Sequence, residues 1–136
     1  MNKTQKDGYQ ILVVDDESAV CKAIKLLLEF DGHKVETVDS GEAALARFEK
    51  NPFDLVITDY SMWGMKGDQL AALIKERKPA QPIIMATAFA ADFNTPGRPT
   101  VKVDYIIHKP FSLSELREAI VKVLPQSNAN ETKPPA

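Results

Sequence analysis

Ile11-Leu12-Val13-Val14-Asp15-Asp16 is the stretch on which the reading of this chain turns. Four consecutive apolar residues, two of them β-branched valines, suit a strand buried on both faces, and the run stops abruptly on two acids. The same figure returns along the chain. Leu55-Val56-Ile57 leads to Thr58-Asp59, and Ile83-Ile84-Met85-Ala86 leads to Thr87. Weaker versions lie at Val35 to Val38 and at Tyr105 to Ile107, the latter followed by His108-Lys109-Pro110.

Between these runs the apolar period changes from continuous to helical. Val20, Ile24, Leu27 and Leu28 form one stripe, and Ala44, Leu45 and Phe48 a second. Leu70, Leu73 and Ile74 form a third, and Leu116, Ile120, Val123 and Leu124 a fourth. Boundary residues agree. Ser40 stands where an N-cap belongs, Ser112 and Glu115 have capping-box spacing, and Gly32 follows the first helix as a stop. Strands alternating with helices imply right-handed βαβ units and a parallel sheet covered on both sides. The expected fold is α/β, a doubly wound five-stranded parallel sheet of flavodoxin-like order 2-1-3-4-5.

Composition narrows the function classes. With 136 residues the chain fits one domain. Hydrophobic residues at 44% and charged residues at 26% are those of a globular protein. A net charge of −2 with dispersed basic residues carries no nucleic-acid footprint. Cys21 is the single cysteine, which excludes an internal disulfide and any paired-cysteine metal motif; in a helical stretch it reads as a small apolar filler. No apolar run approaches the ~18 residues of a membrane span, so a cytoplasmic location without membrane contact is expected. Residues 1–8 read as a flexible N-terminus, 9–125 as the domain, and 126–136 as a disordered polar tail.

The polar residues that stand out all follow strands: Asp15 and Asp16 after the first, Asp59 after the third, Thr87 after the fourth, Lys109 after the fifth. In an open parallel sheet, ligands bind beyond the carboxyl ends of the strands, at the switch in topology. Three carboxylates, a hydroxyl and an ammonium then share one crevice. Two carboxylates ~4 Å apart repel by roughly 4 kcal/mol at an effective dielectric near 20, a conflict that a hard divalent cation resolves. A carboxylate is also a nucleophile toward phosphorus, and phosphoryl transfer needs chiefly positioning and charge neutralisation. Each residue taken alone has a plainer reading: helix-start acids, a loop acid, a β-forming threonine and a surface lysine before a turn. The joint pattern is far more specific than any member.

On Val13-Val14-Asp15-Asp16-Glu17, Asp59 with Met62 and Gly67 beyond it, Thr87-Ala88 and Lys109-Pro110-Phe111, the chain resembles the receiver domain of response regulators over about residues 9 to 125. The resemblance implies a phosphorylated switch of stand-alone type. Asp59 would accept a phosphoryl group from a histidine kinase or phosphotransfer protein, and Asp15, Asp16 and Asp59, with the backbone carbonyl of Ser61, would hold Mg2+. Lys109 would contact the phosphoryl oxygens and Thr87 would move toward them. Self-catalysed transfer and slow hydrolysis are implied, not enzymatic turnover, and the downstream partner would be a protein.

Three departures qualify that resemblance. The family's proline four residues past the acceptor is Trp63, for which packing is the plain reading and a place beside the site the sharper one. Pro96 and Pro99 limit any helix after Thr87, because an interior proline costs ~3 kcal/mol or more, so the fourth helix is expected to be short, irregular or absent. Ile106 stands where the family often has an aromatic switch residue, with Tyr105 one residue earlier. His33 and His108 read as surface or strand-end residues. Two other classes stay open: a receiver-like module working without phosphorylation, and a small phosphohydrolase with an aspartyl-phosphate intermediate. Haloacid-dehalogenase-like hydrolases put a second aspartate two residues past the nucleophile, whereas Asp15 and Asp16 are adjacent here.

Overall fold

A computed structural model describes residues 8–88 and 102–124. The five strands are β1 (Gln10–Val14), β2 (Lys34–Val38), β3 (Leu55–Asp59), β4 (Ile83–Thr87) and β5 (Tyr105–His108). Among the described residues the helices are α1 (Ser18–Phe30), α2 (Gly41–Lys50), α3 (Gly67–Arg77) and α4 (Leu113–Val123). All pairings are parallel and the order is β2-β1-β3-β4-β5, as the sequence led us to expect. The expectation for the segment after Thr87 falls on residues 89–101, and those for the two chain ends on residues 1–7 and 125–136; these lie outside the described residues.

Alternation along each strand sends side chains to two separate cores. Ile11, Val13, Leu55, Ile57, Ile84, Ala86 and Ile107 face α1 and α4, where they meet Ile24, Leu28, Leu116 and Ile120. Leu12, Val14, Val56 and Ile83 face the other way, against Ala44, Leu70, Ala71 and Ile74 of α2 and α3. Burying a Val, Leu or Ile completely stabilises by roughly 1.5–3 kcal/mol. Since β3 and β4 are buried throughout, the sheet has a strong centre on which to mount strained chemistry.

Helix boundaries follow local chemistry. The Ser40 hydroxyl accepts the Ala43 N–H at 3.1 Å to start α2. At α4, Ser112 and Glu115 make both reciprocal bonds of the capping box. Gly32 follows α1 and donates to the Glu29 carbonyl at 2.9 Å. A bidentate Arg117–Asp31 pair then ties the end of α1 to α4. His33 is more than a bland surface residue: its Nδ1 accepts the Tyr9 N–H at 3.0 Å, and the two rings stack.

One glycine controls how α3 meets β3. A Cβ on Gly67 would stand 2.3 Å from the Asp59 carbonyl oxygen, so the first turn of α3 packs directly on the backbone that carries Asp59. Overpacking of a tight site costs about 1–3 kcal/mol, occasionally more. Gly67→Ala should therefore lower the urea midpoint by a stability loss in that range, without changing the slope of the transition.

Candidate metal and phosphoryl site

Register brings the predicted residues together. Val14 pairs with Thr58 and Asp59 with Ala86, so Asp15, Asp59 and Thr87 emerge at neighbouring heights on three adjacent strand ends. Thr87 pairs with His108, and the Lys109 N–H donates to the Thr87 carbonyl at 2.9 Å, which aims the lysine back over the sheet. Its ammonium lies 3.1 Å from Asp59 Oδ1 and 3.6 Å from Asp15 Oδ2. Carboxylate oxygens of Asp15, Asp16 and Asp59 all lie within 4.8 Å of one another.

These acids are not loosely hydrated. Asp15 is 3% exposed, Asp59 7% and Thr87 2%, with Asp16 the open member of the cluster. Burial, joined by the charge of Asp15, pushes the Asp59 carboxyl above its ordinary value, against the hydrogen bond and charge of Lys109. Asp15 is likewise pushed up, by burial first; a hydrogen bond from the Glu17 N–H at 2.9 Å and the Lys109 charge oppose this. For Lys109 burial works against the charge, but the hydrogen bond and charge of Asp59, with Asp15 behind it, prevail and hold the ammonium above its usual range. Among the described residues one cation thus stands against a cluster of three acids, and the surplus of negative charge fits a divalent cation with oxygen ligands.

The loop from β3 to α3 closes one side. Ser61 lines a groove there with Asp16, Met62, Trp63, Gly64 and Lys66. Met62 is buried in the core shared by α2 and α3, and the next side chain points outward: Trp63 is 88% exposed. The packing reading of Trp63 is therefore corrected, while its nearness to the site holds. The loop turns at Gly64, whose φ of 72° favours glycine. Lys66 Nζ donates to the Met62 carbonyl at 2.9 Å and braces the turn.

Tyr105 and Ile106 stand apart from this cluster. Tyr105 pairs with Ile84, three residues before the level of Thr87, which is about 10 Å along a strand. It packs on the core of α1 and α4, with the Lys122 ammonium 5.6 Å from its ring centroid. Ile106 is half-buried beside it in β5. His108 is exposed.

Some contributors were invisible in the sequence reading. The Glu17 and Trp63 N–H groups bond Asp15 and Asp16 respectively, and main-chain donors belong to almost any residue. The useful signal was negative, since only proline at position 63 would have removed the donor. Cys21 is buried as expected, yet its thiol also donates to the Asp15 carbonyl at 3.2 Å, and burial with the Asp15 charge keeps it protonated.

The raised Asp59 carboxyl has a thermodynamic sign. A folded-state pKa above the unfolded one gives stability present at acid pH and lost as pH rises through the folded value. Ionised Asp59 is then a burden at neutral pH in the absence of metal. With a chelator present, Asp59→Asn should melt a few degrees above the wild type near neutrality. That gain should fade as pH falls toward 3.8, the ordinary carboxyl value.

Comparison with known proteins accords with this geometry. A family model described as "Response regulator receiver domain" matches residues 11–121. Response regulator protein FleR of Pseudomonas aeruginosa is 36% identical over 114 residues, which cover 83% of this chain and 24% of FleR. Transcriptional regulatory protein ResD of Bacillus subtilis is 34% identical over 120 residues, 88% of this chain and 48% of ResD. The chain thus spans about a quarter to a half of these relatives. The crystal structure of response regulator TrrA from Thermotoga maritima, in complex with Mg(2+)-BeF, superposes with a TM-score of 0.76 at 34% identity, covering 85% of this chain and 98% of that one. With its sheet order, its acidic crevice and a family match over most of its length, the chain belongs to the response regulator receiver domain family.

Proposed function

We propose that the chain is a phosphoacceptor signalling switch in which Asp59 takes a phosphoryl group from a histidine kinase or a histidine phosphotransfer protein. The observation that carries this reading is the buried Asp59 carboxylate, 3.1 Å from Lys109 and grouped with two further carboxylates. An Asp59 oxygen attacks the donor's phosphorus, a P–O bond forms, the P–N bond breaks, and the imidazole nitrogen leaves with its electron pair. Lys109 offsets the negative charge brought into the crevice, and the Thr87 hydroxyl is a donor to the phosphoryl oxygens.

Asp15, Asp16 and Asp59, with the Ser61 carbonyl, are the residues to hold Mg2+; the all-oxygen donor set and its surplus negative charge fit a hard cation. When bound, the ion neutralises negative charge on the acids and the entering phosphoryl oxygens. Similarity to TrrA, solved with magnesium and beryllofluoride, supports the same ligand class here. The switch reading leaves turnover of phosphate esters out, and expects a protein target and a cytoplasmic setting. Among the described residues no helix is long and apolar enough to cross a membrane.

Incubation with acetyl phosphate and Mg2+, followed by intact-mass measurement, should add one phosphoryl group to the wild type. Asp59→Asn, or omission of the metal, should abolish the addition. Labelling of Asp59→Asn at the wild-type level would remove Asp59 as acceptor, and sustained phosphate release from esters would favour a hydrolase. Because Trp63 stands exposed on the rim of the groove, its fluorescence should change on titration with Mg2+ or beryllofluoride. A flat signal with calorimetrically demonstrated binding would reject Trp63 as a reporter.

A further inference from the structure

We infer that the main-chain amide of Trp63 is a positioning group for the metal site: it holds Asp16 in ligand reach against repulsion from its neighbours. The inference rests on the metal reading above and goes beyond it by assigning a role to a residue outside the ligand set.

Within the cluster the three acids are held very differently. Asp59 is fixed by Lys109, and Asp15 by both Lys109 and the Glu17 N–H. Asp16 has neither partner. Among the described residues its side chain makes one hydrogen bond, accepting the Trp63 N–H on Oδ2 at 3.0 Å across a sequence separation of 47 residues. Asp16 is also the least buried of the three, so its carboxylate is open to water, and repulsion from Asp15 and Asp59 favours its moving away from them. A charge-assisted bond to a main-chain donor opposes that escape and leaves the second oxygen for an ion.

The donor itself is well anchored. Met62, one residue earlier, is buried in the core, and the Lys66 ammonium holds the Met62 carbonyl at 2.9 Å. Beyond the turn, Gly67 packs against the Asp59 carbonyl, and its N–H donates to the Tyr60 carbonyl at 2.9 Å. The indole takes no part in this, being 88% exposed. What matters at position 63 is therefore the N–H, and the chemical way to delete an N–H while keeping a residue is proline.

Partners that orient metal ligands typically matter by 10–100-fold in metal affinity. Calorimetric titration of Mg2+ into the full chain should show Trp63→Pro binding about tenfold more weakly than wild type, and Trp63→Phe, which keeps the amide, within about twofold. In chelator the melting temperature of Trp63→Pro should stay near wild type, while its Mg2+-induced rise should shrink; a purely structural role would lower the first. Amide hydrogen exchange reads the same bond independently of the proline: without metal, Asp16→Ala should speed exchange at Trp63 severalfold. Equal Mg2+ affinity in Trp63→Pro and wild type, equal losses in Trp63→Pro and Trp63→Phe, or unchanged Trp63 exchange in Asp16→Ala overturns the inference while leaving the metal reading intact. Absence of Mg2+ binding by the wild type overturns both. Should Trp63→Pro fail to fold, the exchange measurement decides.

Discussion

Like charges in a dry place set the terms for this molecule. A parallel sheet whose strands end together brings Asp15, Asp16 and Asp59 within a few ångströms of one another, and burial removes the water that would screen two of them. Lys109 offsets part of the repulsion, at 3.1 and 3.6 Å from two of the acids, yet burial first, with the neighbouring acids behind it, still raises the Asp15 and Asp59 carboxyls. Surrounding structure supplies the rest of the restraint: main-chain N–H groups at Glu17 and Trp63, and a glycine that brings α3 up against the Asp59 carbonyl. The buried centre of the sheet holds the conflict in place, since β3 and β4 expose almost nothing.

Such an arrangement is responsive because it is unsatisfied. A site in which every charge had a partner would gain little from an ion or a phosphoryl group. Here the ligand with the greatest differential effect is one that neutralises carboxylates, and the shift it produces cannot exceed its preference for the assembled cluster. The loop from β3 to α3 borders the cluster. It carries Ser61 and the Trp63 amide at the site, yet is tied through Met62 to the core of α2 and α3.

Much of this was legible in the residues. Unbroken apolar runs rich in β-branched residues announced the central strands, and Ser40, Ser112 and Glu115 announced helix starts through side-chain chemistry that the structure realises. Acids at the ends of β1 and β3 pointed to one crevice, because the switch point of an open sheet lies between those strands, and a lysine after β5 is long enough to reach it. What escaped reading was the work of the backbone. The N–H groups that bond Asp15 and Asp16 carry no signature in residue identity. Of the two readings of Trp63, packing and a place beside the site, the second holds: its side chain is exposed, and the buried residue of this loop is Met62. Gln81 is a smaller case, fully buried with its Oε1 unpaired among the described residues, and nothing in its sequence neighbourhood signals that.

Electrostatics also weighs between the switch and a hydrolase built from the same residues. A hydrolase working through an aspartyl phosphate profits from a second carboxylic acid that delivers a proton to the leaving group, which calls for an acid kept neutral by its surroundings. Asp15 is buried enough to rise, but its two direct contacts, the Glu17 N–H and the Lys109 ammonium, both favour the ionised form. Asp16 accepts the Trp63 N–H and has the most open position of the three. Lys109 and the main-chain N–H groups at Glu17 and Trp63 favour charged oxygen against the burial of Asp15 and Asp59, and the all-oxygen cluster that results fits a hard cation.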